Sequence, residues 1–122
     1  MNPVCILSSL YTVSNVLADK KYEGMVRTTM TEIAALAEAL GYPMPPTLVT
    51  VSMSTSARLA DGYKASMVVD LEEGRPLETE VILYNPIRIA EERNLTHIIP
   101  TWHRLYKDLV KYLEERKADG KL

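Results

Sequence analysis

Apolar residues return every three or four positions in two long stretches of the chain. Val26, Met30, Ile33, Ala37 and Leu40 form one such series, which stops at Gly41. Trp102, Leu105, Tyr106, Leu109, Val110 and Leu113 form another, which starts just after Pro100. That spacing puts one apolar stripe on each of two amphipathic helices. Residues 42–46 between them carry three prolines and read as an extended connection, and 47–60 read as a further helix before the Asp61-Gly62 turn. Val81, Ile82, Leu83 and Tyr84 are apolar in succession, which predicts a central buried helix over 76–94. Pro86 should kink it, because proline removes a backbone hydrogen bond and crowds the preceding turn. Residues 19–24 read as a loop and 117–122 as a frayed end. Strand-like alternation is almost absent, so the fold class is all-α. The methionines and the face of the Trp102 helix are expected to be core.

Composition narrows the picture only a little. The chain has 122 residues, 47% of them hydrophobic and 25% charged, enough for one domain with its own core. No repeat, low-complexity tract or internal boundary divides it. A formal net charge of -2 with scattered basic residues argues against a nucleic-acid or anionic-membrane partner. No apolar run is long enough for a membrane span, and the first residues lack the charged region of a signal peptide. The single cysteine, Cys5, excludes an internal disulfide and fits a reducing compartment, here read as the cytoplasm.

Several chemistries are missing. The five glycines, at 24, 41, 62, 74 and 120, form no phosphate-binding pattern, so the chain is not expected to hold a dinucleotide by itself. His97 and His103, six apart, would lie on different faces of one helix and Cys5 is distant, so no metal site is expected. A Cys-His nucleophilic pair lacks a third group to orient it.

The run 64–80, KASMVVDLEEGRPLETE, is different, because it places Ser, Asp, Arg and Glu around a break between helices. Gly74 supplies the left-handed residue that commonly ends a helix, and Pro76 suits the first turn of the next. Glu78 then falls where free N–H groups and the positive end of the helix dipole favour a carboxylate. Ser66 and Asp70, four apart, share a helix face, so the bend can turn a hydroxyl and carboxylates toward one cleft suited to a small polar substrate. Each has a plainer reading: Ser66 bonding to its own helix, Glu78 answering the dipole, Asp70 and Arg75 bracing the bend.

This run resembles the SSM-xx-D-xxx-R-x-TE signature of the C-terminal domain of ketopantoate reductases, through Ser66-Met67, Asp70, Gly74-Arg75-Pro76 and Glu78 with Glu80 behind it. Asn2-Pro3 resembles the element that opens that helical domain. The stretch 25–41, ending in ALG, resembles its long helix, and Ala90-Glu91-Glu92 with 100–113 resembles its closing pattern. The resemblance covers nearly the whole chain. It implies a compact helical domain of the kind shared with 6-phosphogluconate dehydrogenase-like proteins, forming the substrate side of an NADPH-dependent reductase of 2-dehydropantoate or a related 2-keto acid in pantothenate biosynthesis.

Carried over residue by residue, the resemblance makes Glu78 the active-site glutamate, Ser66 and Asn2 the substrate-binding residues, and Asp70 and Arg75 supporting residues. In that register the catalytic lysine and a first asparagine fall before Met1, and Tyr63 stands where some members have an asparagine. The implied partners are a small 2-keto acid, a Rossmann-type nucleotide-binding domain in cis or in trans, and a second copy of the chain. NADP would belong to the complete two-domain enzyme, and no cofactor is expected for this chain, which would be inactive alone. The chain can thus be a piece of a longer enzyme, a stand-alone product that binds a small acid or a separate nucleotide-binding chain, or a helical interaction or dimerisation module.

Overall fold

The computed structural model describes residues 2–8, 10, 12–59, 62–64, 66–75 and 83–118; the side chains of Asn2 and Ser66 lie outside that description. Seven α-helices follow one another among these residues: α1 Asn2–Leu7, α2 Val13–Ala18, α3 Lys20–Ala39, α4 Leu48–Ala57, α5 Ser66–Glu72, α6 Asn85–Glu92 and α7 Pro100–Ala118. A 3₁₀ turn, Thr96–Ile98, precedes α7. The described residues contain no strand, only an isolated antiparallel bridge between Thr12 and Lys64. The fold is all-α.

The short helix α1 lies at the centre. Val4, Cys5 and Ile6 are consecutive and all fully buried, which a helix achieves only when neighbours cover it all round. Those neighbours are α7, α5, α2 and α3. Val13, Val26, Met67, Val68, Leu105 and Leu109 close around it as one aliphatic core. A smaller cluster of Leu36, Ile87, Ala90 and Ile99 joins the end of α3 to α6 and the 3₁₀ turn, and Trp102 and Tyr106 of α7 touch both clusters.

The long helix α3 begins earlier than the sequence pattern suggests. Residues 20–24 are helical, not a loop, because Asp19 caps the helix: its Oδ1 accepts from the backbone N–H groups of Lys21 and Tyr22 at 3.0 and 3.3 Å. Glu23 and Arg27, one turn apart, add an ion pair at 2.7 Å. The buried stripe is also rotated relative to the apolar series. Val26, Thr29, Glu32 and Leu36 are buried, whereas Met30, Ile33 and Leu40 are only partly so. Two polar residues can occupy that stripe because both are satisfied: Thr29 Oγ1 donates to the Val26 carbonyl at 2.8 Å, and Glu32 has partners on α7 described below.

Other elements follow the pattern with adjustments. Helix α3 stops at Gly41, whose φ of +92° permits the left-handed turn, and 42–46 form the proline-rich connection. Pro86 lies in the first turn of α6, where a missing N–H is tolerated, directly after a π-helical pair at Leu83 and Tyr84, so the helical path already runs before the proline and changes from π to α geometry there. Residues 76–82 of the expected 76–94 helix fall outside the description. The C-terminal helix continues to Ala118, so Lys117 is helical and not part of a frayed end. Met53 and Met67 are core, but Met44 is 42% exposed.

Candidate functional site

The bend after α5 is built from its own residues. Helix α5 begins at Ser66, and Asp70 follows one turn later on the same face. At its end the Gly74 N–H donates to the Leu71 carbonyl at 3.3 Å and the Arg75 N–H to the Asp70 carbonyl at 2.8 Å, with Gly74 at φ +73°. These two bonds form a Schellman motif, which requires a left-handed residue and satisfies the last carbonyls of the helix. Arg75 then folds back over the helix it has just left. Its Nε donates to Asp70 Oδ1 at 2.9 Å, and its Nη1 donates to the Glu73 carboxylate. The Asp70 hydrogen bond, ahead of the other contributions, holds the guanidinium pKa above its ordinary value. The Asp70 carboxylate is therefore turned toward the bend and engaged by Arg75.

The entry to α5 is fixed as well. Lys64 makes the bridge with Thr12, and the Val13 N–H donates to the Tyr63 carbonyl at 2.9 Å. Lys64 Nζ lies 2.8 Å from Glu72, one end of the segment gripping the other. Thr12 also caps α2, its Oγ1 accepting from the Asn15 N–H at 3.3 Å. Helix α1, which begins at Asn2, packs directly on α5, which begins at Ser66. The two helices that carry these residues at their first positions are thus neighbours. Glu78 and Pro76 lie outside the described residues, as do the Asn2 and Ser66 side chains.

The sequence pattern gave no hint of Glu32. This carboxylate, only 9% exposed, reaches from α3 to the start of α7 and accepts from the Thr101 and Trp102 N–H groups at 3.0 and 2.8 Å. It caps a helix nearly seventy residues away and fills the role of a local capping residue. Trp102 is held at the same junction by donation from its Nε1 to the Leu83 carbonyl at 2.9 Å. No local motif announces such a pair; only the unusual burial of a glutamate within an apolar stripe marks it.

His97 and His103 are not two positions on one helix. His97 belongs to the 3₁₀ turn and His103 to α7, and the break at Ile99-Pro100 brings both to an open cleft of about 750 Å³. Among the described residues no group of three or more His, Cys, Asp or Glu side chains is arranged to hold a metal ion. Cys5 is buried, and desolvation pushes its thiol above the ordinary range, opposite to what a nucleophile needs. No described helix is long and apolar enough to cross a membrane.

Residues 1–113 match the family model described as Ketopantoate reductase PanE/ApbA C terminal. A 2-dehydropantoate 2-reductase from Nostoc sp. is 31% identical over 106 residues, covering 87% of this chain and 32% of that protein. An uncharacterized protein of Saccharomyces cerevisiae is 41% identical over 92 residues, covering 73% of this chain and 25% of its own length. The crystal structure of 2-dehydropantoate 2-reductase from Methylococcus capsulatus superposes with a TM-score of 0.81 at 38% identity, over 95% of this chain and 36% of that one. A dimeric ketopantoate reductase from Staphylococcus aureus, 23% identical, shares the fold with a TM-score of 0.79 over 93% of this chain and 39% of its own. The chain spans a quarter to two fifths of the length of these proteins. A helical fold centred on α1, a glycine-ended α5 braced by arginine, and a family match over 113 residues converge on one assignment: the chain belongs to the ketopantoate reductase C-terminal domain family.

Proposed function

We propose that this chain is the substrate-side half of a reductase that moves a hydride from NADPH to 2-dehydropantoate or a related 2-keto acid. The braced bend after α5 is the observation that carries the reading. A substrate carboxylate and ketone need donors held at fixed separation, and a helix pinned at its entry by the Thr12–Lys64 bridge and at its exit by Arg75 is a rigid mount for them. Ser66 and Asn2 bind the substrate, and Glu78 acts beside the reacting carbonyl. Counted from Arg75, the R-x-TE end of the signature puts its glutamate at Glu78, with Leu77 where the signature has Thr. Asp70 and Arg75 support the mount and do not touch substrate.

The described helices include no strand-turn-helix unit to cradle a dinucleotide, so the hydride donor comes from a Rossmann domain, in cis or in trans. NADP enters with that domain. The isolated chain is expected to show no NADPH oxidation dependent on 2-dehydropantoate. Activity should appear when a nucleotide-binding domain bearing the catalytic lysine is supplied ahead of Met1 or as a separate chain. Within that two-domain protein, Ser66→Ala should raise KM by roughly fivefold to tenfold, the worth of one hydroxyl hydrogen bond to a charged group. Glu78→Gln should lower kcat with little change in KM. Turnover by the isolated chain, or full activity of the Glu78→Gln two-domain protein, refutes the reading.

A second reading is favoured by one surface. Met44 and Leu48 line an apolar groove of about 180 Å³ with Ile33 and Ala37, and near them in sequence Tyr42 and Val51 are 70% and 56% exposed. Large exposed apolar side chains of this kind commonly mark a docking face. In this reading the chain is a helical interaction or dimerisation module. Sedimentation equilibrium decides it: self-association abolished by Tyr42→Ser with Val51→Ser supports the module, and a monomer at high concentration excludes homodimerisation through this face.

A further inference from the structure

The cleft at the start of α7 gathers four basic side chains from two elements. Its walls carry His97 from the 3₁₀ turn, and His103, Arg104 and Lys107 from the first two turns of α7. Glu91 and Asn94, from the end of α6, and Thr96 stand among them. None of the four basic side chains has a hydrogen-bond or ion-pair partner among the described residues. One concavity thus gathers two formal positive charges and two imidazoles against the single carboxylate of Glu91. The first N–H groups of α7 are already engaged, those of Thr101 and Trp102 by Glu32 from the α3 side and that of His103 by the Ile99 carbonyl. An anion bound against α7 is therefore held by its side chains.

We propose that this cleft is a binding site for a small phosphate ester, separate from the α5 bend, none of whose residues lines it. Arg104 supplies a planar fork that matches phosphate oxygens, Lys107 one turn away supplies a compact charge, and the imidazoles of His97 and His103 add donors from two elements. A volume of about 750 Å³ exceeds what inorganic phosphate fills and lies in the range of small-ligand sites, leaving space for an organic remainder. Glu91 and Asn94 offer an acceptor and an amide to hydroxyl groups on that remainder. Glu91 is otherwise engaged only by a 3.5 Å contact from the Tyr84 hydroxyl, which a ligand can displace without unfolding anything.

The site is independent of the reductase reading and is tested on the 122-residue chain without cofactor or keto acid. Glucose 6-phosphate serves as the probe in calorimetric titration, with glucose and inorganic phosphate as controls and His97 and His103 side-chain NMR signals as the reporter of location. The sugar phosphate should bind, glucose should not, and inorganic phosphate should bind more weakly while shifting the same two histidine signals. Arg104→Ala with Lys107→Ala should weaken sugar-phosphate binding by at least about tenfold, while Lys21→Ala, on α3, leaves it unchanged. Glu91→Gln should remove the preference for the sugar phosphate over inorganic phosphate. Both α7 side chains are exposed, so the double variant is expected to keep the parent's circular dichroism and melting temperature. Equal binding of glucose, unmoved histidine signals, or a double variant within twofold of the parent overturns the proposal.

Discussion

Two helix ends in this molecule are fixed by carboxylates at very different depths. At the start of α7, Glu32 is nearly buried and accepts two partly buried backbone N–H groups. At the end of α5, Asp70 and Glu73 meet Arg75 at the surface, with the guanidinium about half exposed. The local geometry is good in both places. What differs is the alternative available when the contact is lost. Water replaces an exposed partner at little cost, whereas a buried donor left unpaired bears its full desolvation penalty. The buried cap is therefore a determinant of the fold, since it ties α3 to α7 and sets the angle at which Trp102 meets both core clusters. The exposed brace shapes a bend that the Schellman turn already specifies.

The largest effect should follow from breaking the buried cap. Glu32→Ala leaves two N–H groups unpaired and a void in the stripe of α3, and should destabilise the chain by about 3 kcal/mol in urea unfolding. Glu32→Gln keeps the shape and one good acceptor and should cost about half as much. A loss below 1 kcal/mol for Glu32→Ala would show that water reaches the α7 terminus and that the two helix ends are alike after all.

The glycines sharpen the comparison at an intermediate scale. Gly74→Ala forces a side chain into the left-handed region at φ +73° and should cost about 1 kcal/mol, although no atom stands in the way of the new methyl group. Gly24→Ala lies within α3 in open space and should stabilise by about 0.5 to 1 kcal/mol. Thermal melts of the two variants should move in opposite directions. The same sign for both would mean that the turn after α5 is set by something other than its glycine.

The smallest effect is expected at the exposed brace. Arg75→Ala should lower the melting temperature less than Gly74→Ala does, and raising the salt concentration to 1 M should shrink the difference from the parent further, since the pair is solvent-screened. In a two-domain enzyme the same change should disturb KM more than stability, because its consequence is the orientation of α5. Cys5 gives a final check on the dry core that both helix ends enclose. Its buried thiol should resist disulfide reagents at pH 8 in the native chain and react on unfolding, and rapid native labelling would show α1 to be less covered than its neighbours imply.

Much of the fold is legible in the sequence, because local chemistry decides it. The glycine stops at 41 and 74, the proline-rich connection at 42–46 and the helix that starts at Pro100 depend on residues acting within one turn of themselves. Residues 19–24 read as a loop, although Asp19 is of a type that caps helices and does so here. The bend with Ser66, Asp70, Arg75 and Glu78 was legible as a motif, since its members lie within thirteen residues. Three features were decided only in three dimensions. Glu32 reads as an ordinary surface residue until α7 is placed against it. His97 and His103 read as different faces of one helix until the turn at Ile99-Pro100 folds them onto one cleft. Helix α1 reads as a short apolar opening segment until α2, α3, α5 and α7 close around it. The division has a physical basis. Capping, turn geometry and amphipathic period are short-range and written in neighbouring residues, whereas burial and the pairing of distant polar groups depend on which surfaces meet. That is settled by the packing of the whole chain.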